Sequence, residues 1–163
     1  MTKAKPYGII KAQKERRYKK MTIWFDMDGT IADLYGVDGW LDMLIAEDPT
    51  PYAIAKPLVR LSTLARKLNE LQRKGYKIGV ISWLSRSGSL SYNATVTATK
   101  YKWLAEHLPS VNFDEIHVVP YGTPKAIFSS GSDVLFDDEQ KNRDDWAGTA
   151  YDVQNIIEIL KGF

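Results

Sequence analysis

Short apolar runs rich in β-branched and aromatic residues alternate along the chain with longer segments in which apolar residues recur every three or four positions. The short runs predict strands at residues 22–26, 77–82, 115–119, 133–137 and, more weakly, 149–151. The longer segments predict helices over residues 58–74, 92–108 and 153–160. This alternation is typical of a parallel sheet with crossover helices. We therefore expect an α/β fold, a Rossmann-like three-layer sandwich around a mainly parallel five-stranded sheet.

Three of the predicted strands end in a polar side chain, at Asp26, Ser82 and Asp137. The carboxyl ends of parallel strands meet at one edge of a sheet, and ligands of open α/β folds bind in the crevice beyond that edge. The sequence therefore predicts a functional site built from these three strand ends.

The first of these strand ends carries two carboxylates, in the sequence Asp26-Met27-Asp28-Gly29-Thr30. Two such groups, followed by a turn that Gly29 permits, can converge on one phosphate, and they offer the hard oxygen ligands that Mg²⁺ prefers. They also suit a reaction in which one carboxylate attacks phosphorus while the other transfers protons. We favour this interpretation over the alternative that Asp26 and Asp28 only form a turn.

The segment FDMDGT resembles the first motif of the haloacid dehalogenase (HAD) superfamily, a hydrophobic strand followed by D-x-D-G-T. Ser82, at the end of GVIS, is similar to the second motif, whose hydroxyl binds the phosphoryl group, and we expect its neighbour Trp83 to take part in phosphate binding. Lys125, in GTPKAIF, resembles the third motif, a lysine that offsets phosphate charge. Asp137 and Asp138, in VLFDDE, resemble the fourth motif, whose acids hold magnesium.

The resemblance implies a HAD-like fold and a Mg²⁺-dependent phosphatase. Asp26 is then the nucleophile that forms an aspartyl-phosphate, and Asp28 is the general acid/base. The implied metal ligands are Asp26, Asp28, Asp137 and Asp138. An acid at position 28 distinguishes the phosphatases of the superfamily from its dehalogenases and transport ATPases, whereas phosphomutases share it, so transfer of the phosphoryl group stays an alternative to hydrolysis.

The other motif residues each have a purely structural alternative. A serine at a strand end is often a helix N-cap, and Lys125 can be a solvated lysine that follows a proline turn. Lys100 and Lys102 are rival lysines, but they lie on the preceding predicted helix and fit the order of the motifs less well.

The chain leaves little room for a cap domain. Neither the stretch before the helix at 58–74 nor the stretch from Ser82 to Lys125 can hold a folded cap of ordinary size. We expect a capless or minimal-cap protein with a small lid around residues 33–56 and a loop at 83–92. Aromatic residues of these segments can stack on a base or sugar, or simply pack within the lid: Tyr35, Trp40, Tyr52 and Trp83. A nucleotide or another small phosphate ester is the expected substrate.

The charges of the chain are unevenly distributed. Residues 1–20 hold eight Lys or Arg and one acid, a charge of +7, so the remainder carries −5 within the net charge of +2. A basic arm of this kind can bind nucleic acid through its phosphates, which gives a nucleic-acid-binding protein or an end-processing phosphatase as alternatives. A solvated tail is the simpler interpretation, and a translated leader ahead of a native start at Met21 is another. We therefore divide the chain into an arm at 1–20 and a catalytic domain at 21–163.

The composition of the chain excludes several other classes of protein. The 163 residues, 44% of them hydrophobic, suffice for one core of this kind but not for two full domains. There is no cysteine, so disulfides and thiolate metal sites are excluded. No apolar run approaches the ~18 residues of a membrane span, and no apolar segment follows the basic N-terminus as in a secretory signal. We expect a cytoplasmic protein without a membrane partner, whose oligomeric state stays open.

Overall fold

Five parallel strands form the central sheet of the computed structural model, which describes residues 21–163. Numbered in chain order, the strands are β1 (Thr22–Phe25), β2 (Ala32–Asp33), β3 (Lys56–Pro57), β4 (Lys77–Trp83), β5 (Glu115–Val119), β6 (Val134–Phe136) and β7 (Thr149–Tyr151). The order in the main sheet is β5-β4-β1-β6-β7, and β2 pairs with β3 in a separate small sheet. The predicted fold class is confirmed. The predicted basic arm, residues 1–20, lies outside the described residues.

The helices are α1 (Trp40–Ile45), α2 (Thr50–Ile54), α3 (Leu61–Arg73), α4 (Leu90–His107), α5 (Gln140–Asp145) and α6 (Ile156–Leu160), and Lys125–Phe128 forms a turn of 3₁₀-helix. The helices predicted from periodicity correspond to α3, α4 and α6, with ends shifted by a few residues. Helix α3 begins later than predicted because Leu58 donates its N–H to the carbonyl of Ile31 instead of entering a helix. No helix of residues 21–163 is long and apolar enough to cross a membrane.

One face of the sheet packs against the longer helices. Ile23 and Phe25 of β1 share a buried cluster with Leu68 of α3, Trp103 of α4 and Leu160 of α6. Helices α3 and α4 lie on the same side because β1, β4 and β5 follow one another in one direction across the sheet, and such crossovers are right-handed. Each large apolar side chain buried here contributes about 1.5–3 kcal/mol to the stability of the fold.

The opposite face has a thinner cover. Trp24 and Leu135 point to this side and pack with Trp146 and Phe128. Trp146 directly follows α5, and Phe128 is the last residue of the 3₁₀-turn. The indole of Trp24 lies directly over Gly79 of β4, where a Cβ atom would come within 2.3 Å of the ring. A glycine in the middle of β4 therefore makes the room that this tryptophan occupies.

The strand order places the functional edge of the sheet. The chain runs outward from β1 to β4 and β5, then returns to the other side of β1 to form β6 and β7. The direction of strand addition reverses at β1, and ligands of open α/β sheets bind beyond the carboxyl ends of the strands at such a point. Asp26 directly follows β1, Asp137 directly follows β6, and Ser82 is the last residue but one of β4.

Residues 32–57 form an insertion between β1 and α3, with β2 and β3 paired antiparallel at its base and α1 and α2 between them. Leu34 and Tyr52 of the insertion are buried against Tyr92 and Val96 of α4. Its bounds are close to those of the lid expected at residues 33–56. The two-residue strands that close it are too short to produce a recognisable sequence pattern.

Candidate active site

A buried lysine links the first and fourth motif carboxylates. Lys125 Nζ lies 2.7 Å from Asp26 Oδ1 and 2.7 Å from Asp137 Oδ2, and the lysine is only 2% exposed. Burial alone would lower the pKa of Lys125, but the carboxylates of Asp26 and Asp137 raise it above its ordinary value. The ammonium therefore stays charged at neutral pH and neutralises part of the negative charge at this edge of the sheet.

Three hydrogen bonds hold the carboxylate of Asp137 in place. Its Oδ1 accepts the N–H of Glu139 at 2.9 Å, and its Oδ2 accepts from Lys125 and from the amide of Asn142 at 3.1 Å. Burial raises the pKa of Asp137, and the neighbouring carboxylate of Asp26 raises it further. Asn142 was not predicted as a site residue, since an asparagine within a short polar helix gives no sequence signal.

Asp138 offers the free oxygen of the cluster. One carboxylate oxygen each from Asp26, Asp137 and Asp138 lies within 4.8 Å of the others, and Asp138 Oδ1 is buried without a hydrogen-bond partner among the described residues. Burial, followed by the charges of Asp26 and Asp137, raises the pKa of Asp138 to about 7. Grouped carboxylate oxygens with an unpaired member are the donor set that suits Mg²⁺, so these residues fit the expected metal.

The turn after β1 brings the backbone against this cluster. The carbonyl of Met27 accepts the N–H groups of Thr30, Ile31 and Ala32, which closes a tight turn around Gly29. Gly29 has a φ of 82°, and a Cβ there would come within 2.3 Å of Asp138 Oδ2. The D-x-D-G sequence therefore needs its glycine both for the left-handed backbone and for the close approach of the fourth motif.

The carboxylate of Asp28 lies outside the group that could hold a metal ion. Its Oδ2 accepts a hydrogen bond of 2.6 Å from the ammonium of Lys100, which also donates to Ser82 Oγ at 2.6 Å and to the carbonyl of Trp83 at 2.7 Å. We expected the side chains of Asp26, Asp28 and Asp137 to meet around one cation, whereas the structure directs Asp28 to Lys100 instead. Burial raises the pKa of Asp28, and the charge of Lys100 opposes that shift.

The predicted phosphate-binding residues Ser82 and Trp83 differ in whether their own hydrogen-bond donor is free. Ser82 is fully buried at the end of β4 and accepts from Lys100, so its own O–H is available to another acceptor. Trp83 donates its indole N–H to the carbonyl of Thr123, and its ring lies 5.2 Å from Lys125 Nζ. Trp83 therefore supports the ammonium of Lys125 with its ring, while its indole donor is already occupied.

A cavity of about 680 Å³ opens over these groups. Asp26, Asp28, Lys125 and Asp138 lie on its wall, together with apolar and aromatic residues of the insertion and of the loop after β4. Two aromatic pairs border it, Tyr35 with Trp40 and Trp83 with Tyr121, each with ring centroids 5.0 Å apart. Arg86 completes this wall, with its guanidinium 5.8 Å from the ring of Tyr121. The cavity thus joins a charged end to a larger aromatic end.

Lys100 is the site residue that sequence reasoning dismissed. It lies on α4 in phase with Tyr92, Val96, Trp103 and Leu104, which are the other buried residues of that helix. A lysine at an apolar phase of a helix is costly to bury without a partner. The apolar phase of Lys100 on the helix was the signal available in the sequence. The order of the motifs favoured Lys125 over Lys102, and Lys102 is exposed.

Asp138→Asn is expected to stabilise the metal-free protein above pH 7 by on the order of 1 kcal/mol, because it removes a partly buried, unpaired carboxylate. Burial raises the pKa of the Asp138 carboxyl from its ordinary value of 3.8 to about 7. It binds its proton more tightly in the folded state, so the stability that it contributes is present below the unfolded pKa of 3.8 and is lost progressively as the pH rises to about 7. Urea unfolding in EDTA at about pH 5 and about pH 8 measures both effects.

The same variant is expected to lose most of the stabilisation that added Mg²⁺ gives to the wild-type protein. Asp144→Asn, which changes an exposed acid of α5, is the matched control and should behave as wild type. An Asp138→Asn protein that Mg²⁺ stabilises as strongly as wild type would remove Asp138 from the metal site.

Comparison with known proteins finds similarity among solved structures. No protein-family model matches the sequence, and no curated protein matches it. Among solved structures, the chain is similar to D,D-heptose 1,7-bisphosphate phosphatase from Burkholderia thailandensis, with a TM-score of 0.47 and 13% identity over 77% of this chain and 70% of that chain. Likeness at this level does not define an activity. The parallel sheet and the meeting of the four motifs at its edge are consistent with the HAD fold that the sequence resembles.

Proposed function

We propose that this protein is a Mg²⁺-dependent phosphomonoester hydrolase that acts through an aspartyl-phosphate on Asp26. The observation that carries the proposal is the arrangement around Asp26. Its carboxylate lies at the floor of the cavity, bound to the ammonium of Lys125 and grouped with two further carboxylates, and a second acid follows two residues later. A nucleophile, a charge-neutralising cation and a proton-transfer group are thereby collected at one point.

In the first step, a carboxylate oxygen of Asp26 attacks the phosphorus atom of the ester, and the bond from phosphorus to the leaving oxygen breaks. The leaving oxygen takes a proton from the carboxyl group of Asp28. Lys125 neutralises charge beside the attacking oxygen. The hydroxyl of Ser82 is fully buried and outside the cavity wall, so Ser82 acts from behind the site by accepting a hydrogen bond from Lys100. A bound Mg²⁺, held by Asp26, Asp137 and Asp138, would reduce repulsion between the carboxylate and the anionic ester.

In the second step, water attacks the phosphorus atom of the aspartyl-phosphate while Asp28 accepts the proton of the water. The bond between phosphorus and Asp26 breaks, which releases inorganic phosphate and restores both carboxyl groups to their starting states. Asp28 thus serves first as acid and then as base, so the rates of both steps depend on its position relative to Asp26.

The cavity favours a small ester with a planar or apolar group. Its charged end holds the phosphate, and the pairs Tyr35–Trp40 and Trp83–Tyr121 offer ring faces of the kind on which bases stack. A nucleotide fits this description, because aromatic faces for a base lie beside polar side chains such as Ser85, Arg86 and Ser87 that can contact a sugar. The +7 charge of residues 1–20 supports one alternative, an end-processing phosphatase that holds nucleic acid through the arm.

Hydrolysis of p-nitrophenyl phosphate tests the proposal directly. We expect activity with Mg²⁺ that falls on the order of 10²–10³-fold in EDTA, because the metal supplies several kcal/mol of charge stabilisation. Full activity in EDTA would contradict the metal requirement. A panel of nucleoside monophosphates, sugar phosphates and 3′-phosphorylated oligonucleotides then ranks the substrates. Preference for the oligonucleotide, lost when residues 1–20 are deleted, would favour the end-processing alternative.

A further inference from the structure

Lys100 has an unusual environment for a lysine. Its side chain is 1% exposed, and its ammonium makes three hydrogen bonds of 2.6–2.7 Å, to Asp28 Oδ2, Ser82 Oγ and the carbonyl of Trp83. An ammonium has three N–H donors, so all of them are used. The face of Tyr52 lies 4.9 Å from Nζ and covers the remaining side. These contacts give the ammonium a single position.

That position joins two strand ends. Asp28 belongs to the turn after β1, whereas Ser82 and Trp83 end β4, so the ammonium ties the turn to the neighbouring strand. Lys125 makes the corresponding contacts with Asp26 and Asp137 on the other side of the site. Each lysine therefore serves a different carboxylate of the D-x-D sequence.

We propose that Lys100 is the positioning residue of the proton-transfer step, which fixes the carboxyl group of Asp28 beside the leaving oxygen and the attacking water. Lys100 occupies Oδ2 of Asp28, so Oδ1 is the oxygen that exchanges protons in the cavity. Without the ammonium, the side chain of Asp28 is free to turn away from the aspartyl-phosphate. This inference rests on the proposed function, because it assigns a role to Lys100 within that reaction.

A positioning role of Lys100 is expected to affect the two steps of the reaction differently for aryl and alkyl phosphates. p-Nitrophenolate is a good leaving group and departs without help from an acid, so phosphorylation of Asp26 survives a misplaced Asp28. Hydrolysis of the aspartyl-phosphate still needs a base for the water. A misplaced Asp28 therefore makes the second step limiting for aryl phosphates, whereas for alkyl phosphates, whose leaving oxygen needs a proton, it slows the first step as well.

Stopped-flow kinetics of Lys100→Met with p-nitrophenyl phosphate provide the test. We expect a burst of about one equivalent of p-nitrophenol per site, followed by turnover about 10²–10⁴-fold slower than wild type, the range that general acid–base groups supply. With an alkyl phosphate, we expect a loss of kcat at least as large and less accumulated phosphorylated protein, because the first step is slowed as well. Lys102→Met is the matched control, since Lys102 lies on the same helix with a side chain 74% exposed, and it should match wild type.

A double-mutant cycle guards against misfolding of the single variant. Removing one partner of a buried ion pair is strongly destabilising, whereas removing both charges is often tolerated, so Lys100→Met is also made in Asp28→Asn. If Lys100 acts through Asp28, the second substitution changes kcat of Asp28→Asn by less than about twofold. A further tenfold loss in kcat there would overturn the proposal.

Three other results would also overturn it. They are wild-type kinetics in folded Lys100→Met, an equal loss for aryl and alkyl phosphates without a burst, and a rise in KM and in the inhibition constant of inorganic phosphate with kcat unchanged. Failure of the proposed function looks different. In that case the wild-type protein hydrolyses no phosphate ester, and neither it nor any lysine variant forms an acid-stable phosphorylated species.

Discussion

Asp26→Asn is expected to abolish phosphate-ester hydrolysis while the protein stays folded. An amide oxygen is a poor nucleophile, so no aspartyl-phosphate forms, and loss of the nucleophile in enzymes that use one costs on the order of 10⁴–10⁶-fold in kcat. The substitution keeps the shape of the side chain. Its remaining Oδ1 can still accept from Lys125, which lies 2.7 Å from that atom in the wild-type site.

The measurement combines turnover of p-nitrophenyl phosphate with detection of phosphorylated protein after acid quench. Asp145→Asn is the matched control, because Asp145 is an exposed acid of α5 that pairs with Lys141 at the surface. That control should keep wild-type kcat and wild-type labelling. An Asp26→Asn protein with substantial activity and an unchanged unfolding curve would contradict covalent catalysis by this residue.

The sheet could be predicted because each of its strands corresponds to a short continuous segment of the sequence. A strand buried on both faces needs a continuous apolar run, and GVIS and VLF provide one. Polar residues then mark the strand ends, since Asp26 and Asp137 each follow a run directly. The same edge of a parallel sheet must hold both, so their meeting near Lys125 followed from topology once the order of the motifs was known.

Other parts of the site depend on contacts between residues far apart in the chain. Asp28 and Lys100 are 72 positions apart, and nothing near either residue indicates that they meet. The sequence predicted two roles for Asp28, as a metal ligand and as a proton-transfer group. In the structure its carboxylate binds Lys100 and therefore points away from the acidic cluster. The insertion at 32–57 is similar, because β2 and β3 are each two residues long and pair only through the tertiary fold.

Lys125→Met is expected to lower the free energy of unfolding by about 3–5 kcal/mol in EDTA, because it leaves two buried carboxylates without their counter-charge. Asp137 is fully buried and Asp26 is 6% exposed, so water replaces the lost ammonium poorly at Asp137 and reaches Asp26 only from the cavity. A loss of this size is a large part of the stability of a typical domain. Urea denaturation of the metal-free protein measures it.

Two comparisons identify charge as the cause of that loss. Adding Asp137→Asn to Lys125→Met removes one of the unpaired carboxylates and should recover part of the stability, and Mg²⁺ should recover part of it in the single variant by supplying positive charge to the same acids. Lys141→Met breaks a surface pair with Asp145 and should change stability by less than about 1 kcal/mol. If Lys125→Met were as stable as Lys141→Met, the buried ammonium would not be what holds Asp26 and Asp137 together, and the charge balance assumed for the nucleophile would be wrong.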